Sequence, residues 1–289
     1  MRAQVNFLPD GKRLHLHDGP IDLIIEAFGS KPEVEAAYQA AARRFADVLD
    51  ELCGELPKLR QPATRDSAAP QGRIARRMME AVRPYAAQTF ITPMAAVAGA
   101  VAENMMTTMT TYAELKRSYV NNGGDVAIHL TEGEHFTLGM VDRPDRPSLF
   151  GTATLDWAQP VRGIATSGWR GRSFSLGIAD AVTVLADDAA NADAAATMIA
   201  NAVDLPGHPR VIRVPACELA PDSDLGTIRV TQAVGKLCAR EVACALDNGE
   251  QFAESLLERG LIHAAALRLQ GETRIVAMAK RRPGELVHA

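Results

Sequence analysis

Apolar and polar positions follow two rhythms along the chain, and the switches between them mark the elements. Gln4 to Leu8 and Arg13 to His17 alternate with period two around the turn Pro9-Asp10-Gly11. This predicts a strand pair within residues 4 to 27. His15 and His17 share a face of it, either as an exposed pair or as a metal pair. From Ser30 the spacing lengthens. Ala37, Ala41, Phe45, Val48, Leu49 and Leu52 recur at helical intervals, which predicts a helix to about Cys53 ended by Gly54 and Pro57. Ser30-Lys31-Pro32-Glu33 reads as its capping box, with proline in the first turn. Residues 57 to 71, rich in Pro and polar residues, read as a connecting loop. A second helix is expected over Gly72 to Ala87. Its Arg73, Arg76, Arg77 and Arg83 form either a solvated face or a phosphate-facing patch. A third is expected from Met94 to Met106, opened by Thr92-Pro93. Its run Ala95-Ala96-Val97-Ala98-Gly99-Ala100 is small enough to let another backbone or a ligand come close.

Further on, the strand Tyr119 to Asn122 runs into the turn Gly123-Gly124-Asp125. Val126 to Leu130 and Phe136 to Val141 are expected to form a hairpin around Thr131 to Glu134. Residues 142 to 159 read as a loop. The stretch Gly163 to Val203 holds a small-residue turn (Thr166, Ser167, Gly168), a basic loop (Trp169, Arg170, Arg172), a buried strand Ala181 to Ala186 and an Ala-rich helix Ala192 to Val203. A strand at Pro209 to Val214 and a turn-rich linker at Pro221 to Gly226 come next. Then come helices at Arg240 to Leu246 and Gly249 to Arg259, with Gly260 as stop. Leu261 to Leu269 and Thr273 to Ala279 fit a closing hairpin, and Lys280 to Pro283 a frayed tail. There is no clean βαβ alternation and no G-x-G-x-x-G after a strand, so a dinucleotide-binding Rossmann unit is excluded. The expected fold class is α+β: mixed and antiparallel sheets flanked by helices, in one domain over residues 1–289 with subdivision points near 57–71 and 206–227.

Composition changes this picture little. The chain has 289 residues, 47% of them apolar and 23% charged, which suits a globular core. A net charge of −4 gives no bulk attraction to nucleic acid or to an anionic membrane. Cys53, Cys217, Cys238 and Cys244 form no CxxC pair, so zinc and iron–sulfur signatures are missing and free thiols are expected. MRAQVNFLPDGKRLHL has no apolar signal-peptide core, and no apolar run reaches about 18 residues. A cytoplasmic protein without a membrane span is the expectation. The helix at Met94 to Met106, with the methionines there, serves either core packing or a homodimer face.

The candidate chemistry lies in the second half. Asp193 and Thr197 stand four apart and share a helix face. A carboxylate beside a hydroxyl offers hard oxygens to Mg²⁺, and equally Asp193 suits an N-cap or first-turn position. Gly123-Gly124 opens backbone N–H groups to a ligand, or is simply a tight turn. Arg170 and Arg172 are forks suited to phosphate.

Three of these segments together resemble the ApbE family of flavin transferases. Asp193-Ala194-Ala195-Ala196-Thr197 is similar to that family's D-A-x-A-T segment, Ala165-Thr166-Ser167-Gly168 to its S-T-S-G stretch, and Asn122-Gly123-Gly124-Asp125 to its N-x-G-G-D turn. Order and approximate spacing agree over residues 90 to 205. The resemblance implies ApbE-like topology and a Mg²⁺ held by Asp193 and Thr197, with a backbone carbonyl near Val97. It implies FAD as ligand, lined by Asn122, Gly123, Gly124 and Asp125, with Thr166, Ser167, Gly168, Arg170 and Arg172 completing the nucleotide-binding set. The implied reaction passes FMN to a hydroxyl of a partner protein, or cleaves the pyrophosphate bond. The departures point to a divergent branch. The family's lysine before the second glycine of G-I-A-K-G-x-A is Ala98 here, and Glu103 stands where an aspartate is common. Gly168 reaches Asp180 in twelve residues, with nothing resembling the H-x-x-D-P-x-T-G loop. Two further readings follow: an ApbE-like enzyme on a different phosphorylated or nucleotide substrate, and a non-catalytic protein binding a small molecule.

Overall fold

The computed structural model describes residues 3–87, 89–141, 149–277 and 287–288, leaving aside the side chains of residues 140, 141, 149, 150, 153, 287 and 288. The chain divides into two compact units. Unit 1 comprises Met1–His135, Asp156–Ile164 and Asp188–Asp193; unit 2 comprises Phe136–Leu155, Ala165–Asp187 and Ala194–Ala289.

Unit 1 opens with three antiparallel strands, β1 (Gln4–Phe7), β2 (Leu14–Asp18) and β3 (Ile21–Phe28). Leu14, Leu16, Ile21, Leu23 and Ile25 are buried, and the intervening residues are half-buried, as period two requires. His15 and His17 lie on the outer face against Asp22, with His15 Nε2 2.5 Å from its Oδ1. Helix α1 (Lys31–Leu59) runs through Gly54 and Pro57, six residues beyond the expected end. A proline near a helix end forfeits one backbone hydrogen bond, and Phe45, Val48, Leu52 and Leu59 bury that face regardless. The expected capping box does not form at Ser30; Glu33 instead accepts a hydrogen bond from the Glu114 N–H at 2.7 Å. Helix α2 (Arg73–Val82) is shorter than expected. A 3-10 turn at Pro93–Ala96 leads into α3 (Val97–Tyr112). Met105, Met106 and Met109 of α3 are buried, so they serve the core of this unit.

Strands β4 (Arg117–Asn122) and β5 (Asp125–Leu130) join through Gly123-Gly124, both at positive φ (67° and 121°). Only such a turn matches the twist of two tightly linked strands. The strand order in unit 1 is β1-β2-β3-β4-β5, and α3 packs on β4 and β5.

The expected hairpin of residues 126–130 with 136–141 is not formed. Strand β6 (His135–Val141) lies in a different sheet, of order β14-β7-β6, with β7 (Leu149–Asp156) from the stretch expected as loop and β14 (Val287–His288). The free edge of β5 pairs instead with Gly163 and Ile164 of β8 (Gly163–Ser167). Residues 142–148 and the tail Lys280 to Pro283 lie outside the described residues.

In unit 2, β9 (Ala181–Ala186) is buried at every position and pairs antiparallel with β12 (Ala264–Leu269), which pairs with β13 (Glu272–Ala277) around Gln270-Gly271. Helix α4 (Ala189–Ala202) starts three residues earlier than expected. Strand β10 (Val211–Pro215), a short helix α5 (Ala216–Leu219) and strand β11 (Arg229–Val234) follow, with β10 and β11 as an antiparallel pair. One helix, α6 (Ala239–Glu258), replaces the two expected; Gly249 lies inside it, where the side chains of Val203 and Leu267 leave room for nothing larger. Gly260 closes it at φ 69°. No helix among the described residues is long and apolar enough to cross a membrane.

Candidate functional site

In unit 1 the start of α4 meets the start of α3 in close backbone contact. Gly99 is what allows it. A Cβ there would stand 2.2 Å from the Ala189 carbonyl oxygen and 2.8 Å from the Ala190 Cα. Backbone lies on backbone, and polar side chains are drawn into the contact.

Asp188 caps α4. Its Oδ1 accepts the Asn191 N–H at 2.9 Å, and its Oδ2 accepts the Asn191 side-chain amide at 2.8 Å. Asp193 therefore sits in the second turn of α4, neither as its N-cap nor as a first-turn acid. It caps a different helix: Oδ2 accepts the Gly99 N–H at 3.0 Å, and the Ala98 N–H also bonds to the carboxylate. These are early N–H groups of α3, whose own cap residue, Ala96, has no side-chain acceptor. Asn122, 7% exposed, donates to the Ala98 carbonyl at 3.2 Å. The structure thus brings Asn122 and Asp193 to the same turn of α3.

The charge balance around Asp193 is unusual. Burial pushes its carboxyl up to about 7, against the pull of the Gly99 and Ala98 N–H groups. Among the described residues, no guanidinium or ammonium contributes to that balance. Nearby stands a second acid set with its own cation. Arg77 Nε donates to Glu103 at 2.8 Å, and its Nη2 donates to Asp188. Glu103 Oε1 also accepts the Ala190 N–H at 2.7 Å. Burial, then the neighbouring Asp188, raises Glu103 to about 7, while Arg77 lowers it. Arg77 was legible only as part of a basic face, and Glu103 only as a family position. Asp188 carried a readable signal, an acid followed directly by an Ala-rich helix.

The remaining expected site residues divide by unit. At the Gly-Gly turn of unit 1, the Gly124 N–H is taken by Asn121 Oδ1 at 2.9 Å, and Asp125 faces Asn122 in the strand register. In unit 2, Thr166 Oγ1 lies 2.9 Å from Thr183 Oγ1. Ser167 ends β8, and Gly168 packs against the Asp180 carbonyl. Arg170 donates through Nε to Asp180 at 2.7 Å and lies over the Trp169 ring, 4.3 Å from its centroid. Asp180 also accepts the Trp169 indole N–H and the Gln270 backbone N–H. The short loop after Gly168 is thus closed on Asp180, and Arg172 lies within it. Thr197 is four residues beyond Asp193 on α4, partly exposed.

Over residues 5–275 the sequence matches the family described as AbpE bacteria. The chain belongs to that family. Curated relatives that it matches carry the name UPF0280. The UPF0280 protein MK0206 of Methanopyrus kandleri is 35% identical over 184 residues, covering 62% of this chain and 69% of its own length. That of Methanothermobacter thermautotrophicus is 41% identical over 118 residues, covering 39% and 43%. Most such matches span about half of the relative's length. Among solved structures, the apo flavinyl transferase ApbE of Pseudomonas stutzeri aligns over 96% of both chains at 12% identity and TM-score 0.42. The flavin transferase ApbE of Vibrio cholerae aligns over 96% and 98% at 12% identity and TM-score 0.36.

Proposed function

We propose that this AbpE-family protein binds a flavin nucleotide, FAD, together with Mg²⁺, and either transfers FMN or cleaves the pyrophosphate bond. Membership of the family supports the reading. The observation that carries it is Asp193: a carboxylate oriented by two backbone N–H groups and, among the described residues, balanced by no cationic side chain. Such a group holds either a proton or a cation. The donor set fits Mg²⁺, which takes one or two carboxylates and completes its shell with water and substrate phosphate. Asp193 would hold the ion with the Thr197 hydroxyl one turn along α4. When bound, the ion polarises the phosphoanhydride of the substrate. The chain's own contribution is positioning: α3 fixes Asp193, Asn122 fixes the Ala98 carbonyl, and the Gly123-Gly124 turn brings its backbone, with Asp125, to the ligand. In unit 2 the same reading assigns Thr166, Ser167 and Gly168 to ligand contacts, and Arg170 and Arg172 to phosphate.

A second reading rests on the loop after Gly168. Arg170 is engaged by Asp180 and Trp169 rather than held open. That takes Arg170 out of the phosphate-binding set, and a phosphorylated or nucleotide substrate other than FAD, held through Mg²⁺ at Asp193, would not need it.

Calorimetric titration of FAD, with and without Mg²⁺, into the protein and its Asp193→Ala variant tests the first reading. Binding on the order of micromolar, dependent on Mg²⁺ and lost in the variant, is expected. A search for FMN transfer and AMP release would follow. No FAD binding under any metal condition overturns the flavin assignment and leaves the second reading.

A further inference from the structure

Unit 1 contains a concavity formed by residues other than those around Asp193. Helices α1 and α3 pack against each other, and on their shared side the residues are short. Asn104, Thr108, Thr111 and Tyr112 form a stripe along α3, opposite Ala40, Arg43 and Arg44 of α1. Alanine and threonine do not fill the space between two helices, and Arg73 of α2 also lines it. The result is a cavity of about 560 Å³, within the range of small-molecule sites.

Among the described residues its wall has no carboxylate. Arg44 is neutralised, donating to Glu51 at 2.6 Å and to Asn104 Oδ1 at 2.7 Å. That fixes it as a floor. Arg43 and Arg73, from different helices, make no ion pair among the described residues. Two unneutralised guanidinium groups at one concavity, in a chain of net charge −4, select an anion. The hydroxyls of Thr108 and Thr111 spend their protons on the helix, donating to the Asn104 and Thr107 carbonyls at 2.8 and 2.7 Å. What they offer a ligand is lone pairs, suited to sugar hydroxyl donors and unsuited to phosphate. Tyr112, 67% exposed, supplies an aromatic face at the edge of the same cavity.

We infer that this groove is a binding site for a nucleoside monophosphate: phosphate on Arg43 and Arg73, sugar hydroxyls on Thr108 and Thr111, base on Tyr112. Each part of the wall matches one part of that ligand. The site is independent of Asp193 and Mg²⁺.

The test is calorimetric titration of AMP at low salt, without divalent metal, beside adenosine and inorganic phosphate. The proteins are the wild type, Arg43→Gln/Arg73→Gln, Tyr112→Ala and Asp193→Asn. All four substituted positions are at least partly exposed, and an unchanged melting temperature certifies each fold. AMP should bind, weakening about tenfold or more in the double arginine variant and about fivefold in Tyr112→Ala. Asp193→Asn should leave it unchanged. AMP should outbind both adenosine and phosphate. Absence of AMP binding overturns the proposal, as does binding indifferent to the arginine pair. Adenosine binding equal to AMP removes the phosphate role, and phosphate binding equal to AMP removes the base role; either overturns the assignment. Loss of FAD binding in Asp193→Ala leaves this site untouched, so the two assignments fail separately.

Discussion

Two acid sites lie within six residues at the start of α4, and they solve the same problem differently. Asp188 shares Arg77 with Glu103, so two carboxylates are served by one guanidinium and by backbone N–H groups. Asp193 has backbone N–H groups alone. Both Glu103 and Asp193 are pushed up to about 7, yet for different reasons. In Glu103 burial is joined by repulsion from Asp188, and a resident cation partly offsets it. In Asp193 burial acts with no cation among the described residues opposing it. The first is a self-contained network, whose purpose is met by holding α2, α3 and α4 in register. The second is incomplete in charge. That difference, rather than a shifted pKa, which both sites share, is the ground for proposing Asp193 as the ligand-binding acid.

The largest effect should come from breaking the self-contained site. Arg77→Met keeps the apolar stem and removes the charge, leaving Glu103 and Asp188 facing each other with side chains 19% and 32% exposed. Removing one partner of such a network costs about 3 kcal/mol. Without Arg77, the carboxyl of Glu103 rises further. A raised folded-state value means stability is present at low pH and lost as pH rises through it. The loss in urea-unfolding free energy should therefore be larger at pH 8 than at pH 5. Equal losses at both would mean that Arg77 acts through packing alone.

A smaller loss should follow from Gly99→Ala, which strikes both sites at once. The added Cβ meets the Ala189 carbonyl and the Ala190 Cα, which are backbone and cannot rotate away. Overpacking of this kind costs about 2 kcal/mol. By lifting α3 from α4 it should also move the Gly99 N–H from Asp193 and weaken any Mg²⁺-dependent ligand binding. Unfolding by urea and the FAD titration report the two effects. A variant as stable as wild type would show that the close approach of the helices is dispensable.

These contacts explain what was legible in the sequence. Ala181 to Ala186 reads as a buried strand because local apolarity decides it, and Gln270-Gly271 reads as a hairpin turn because its chemistry is local. The expected hairpin of 126–130 with 136–141 fails because alternation identifies a strand and is silent on its partner; β5 pairs with Gly163 and Ile164 instead. The start of α4 was misplaced because an Ala-rich run has no internal marker, so Asp193 read as an early-helix acid. Its membership of a candidate site was legible only through the resemblance of a five-residue segment. Arg77 meets Glu103 and Asp188 across 26 and 111 residues, and no spacing rule reaches that far.

The substitution that changes least in shape most sharply distinguishes the two acid sites. Asp193→Asn keeps an oxygen for the Gly99 and Ala98 N–H groups and removes the charge. The wild-type carboxyl, raised from 3.8 to about 7, favours the folded state below about pH 4 and loses that contribution as pH rises toward 7. The variant has no such titration. It should match the wild type near pH 4 and exceed it at pH 8, where the wild type holds an unbalanced charge. Mg²⁺ should raise the melting temperature of the wild type at pH 8 and leave the variant unmoved, since the ion supplies the charge that the protein lacks. In Glu103→Gln the Mg²⁺ shift should persist, because Arg77 already serves that site. Should Mg²⁺ stabilise Asp193→Asn as much as the wild type, Asp193 would be a cap for α3 and nothing more.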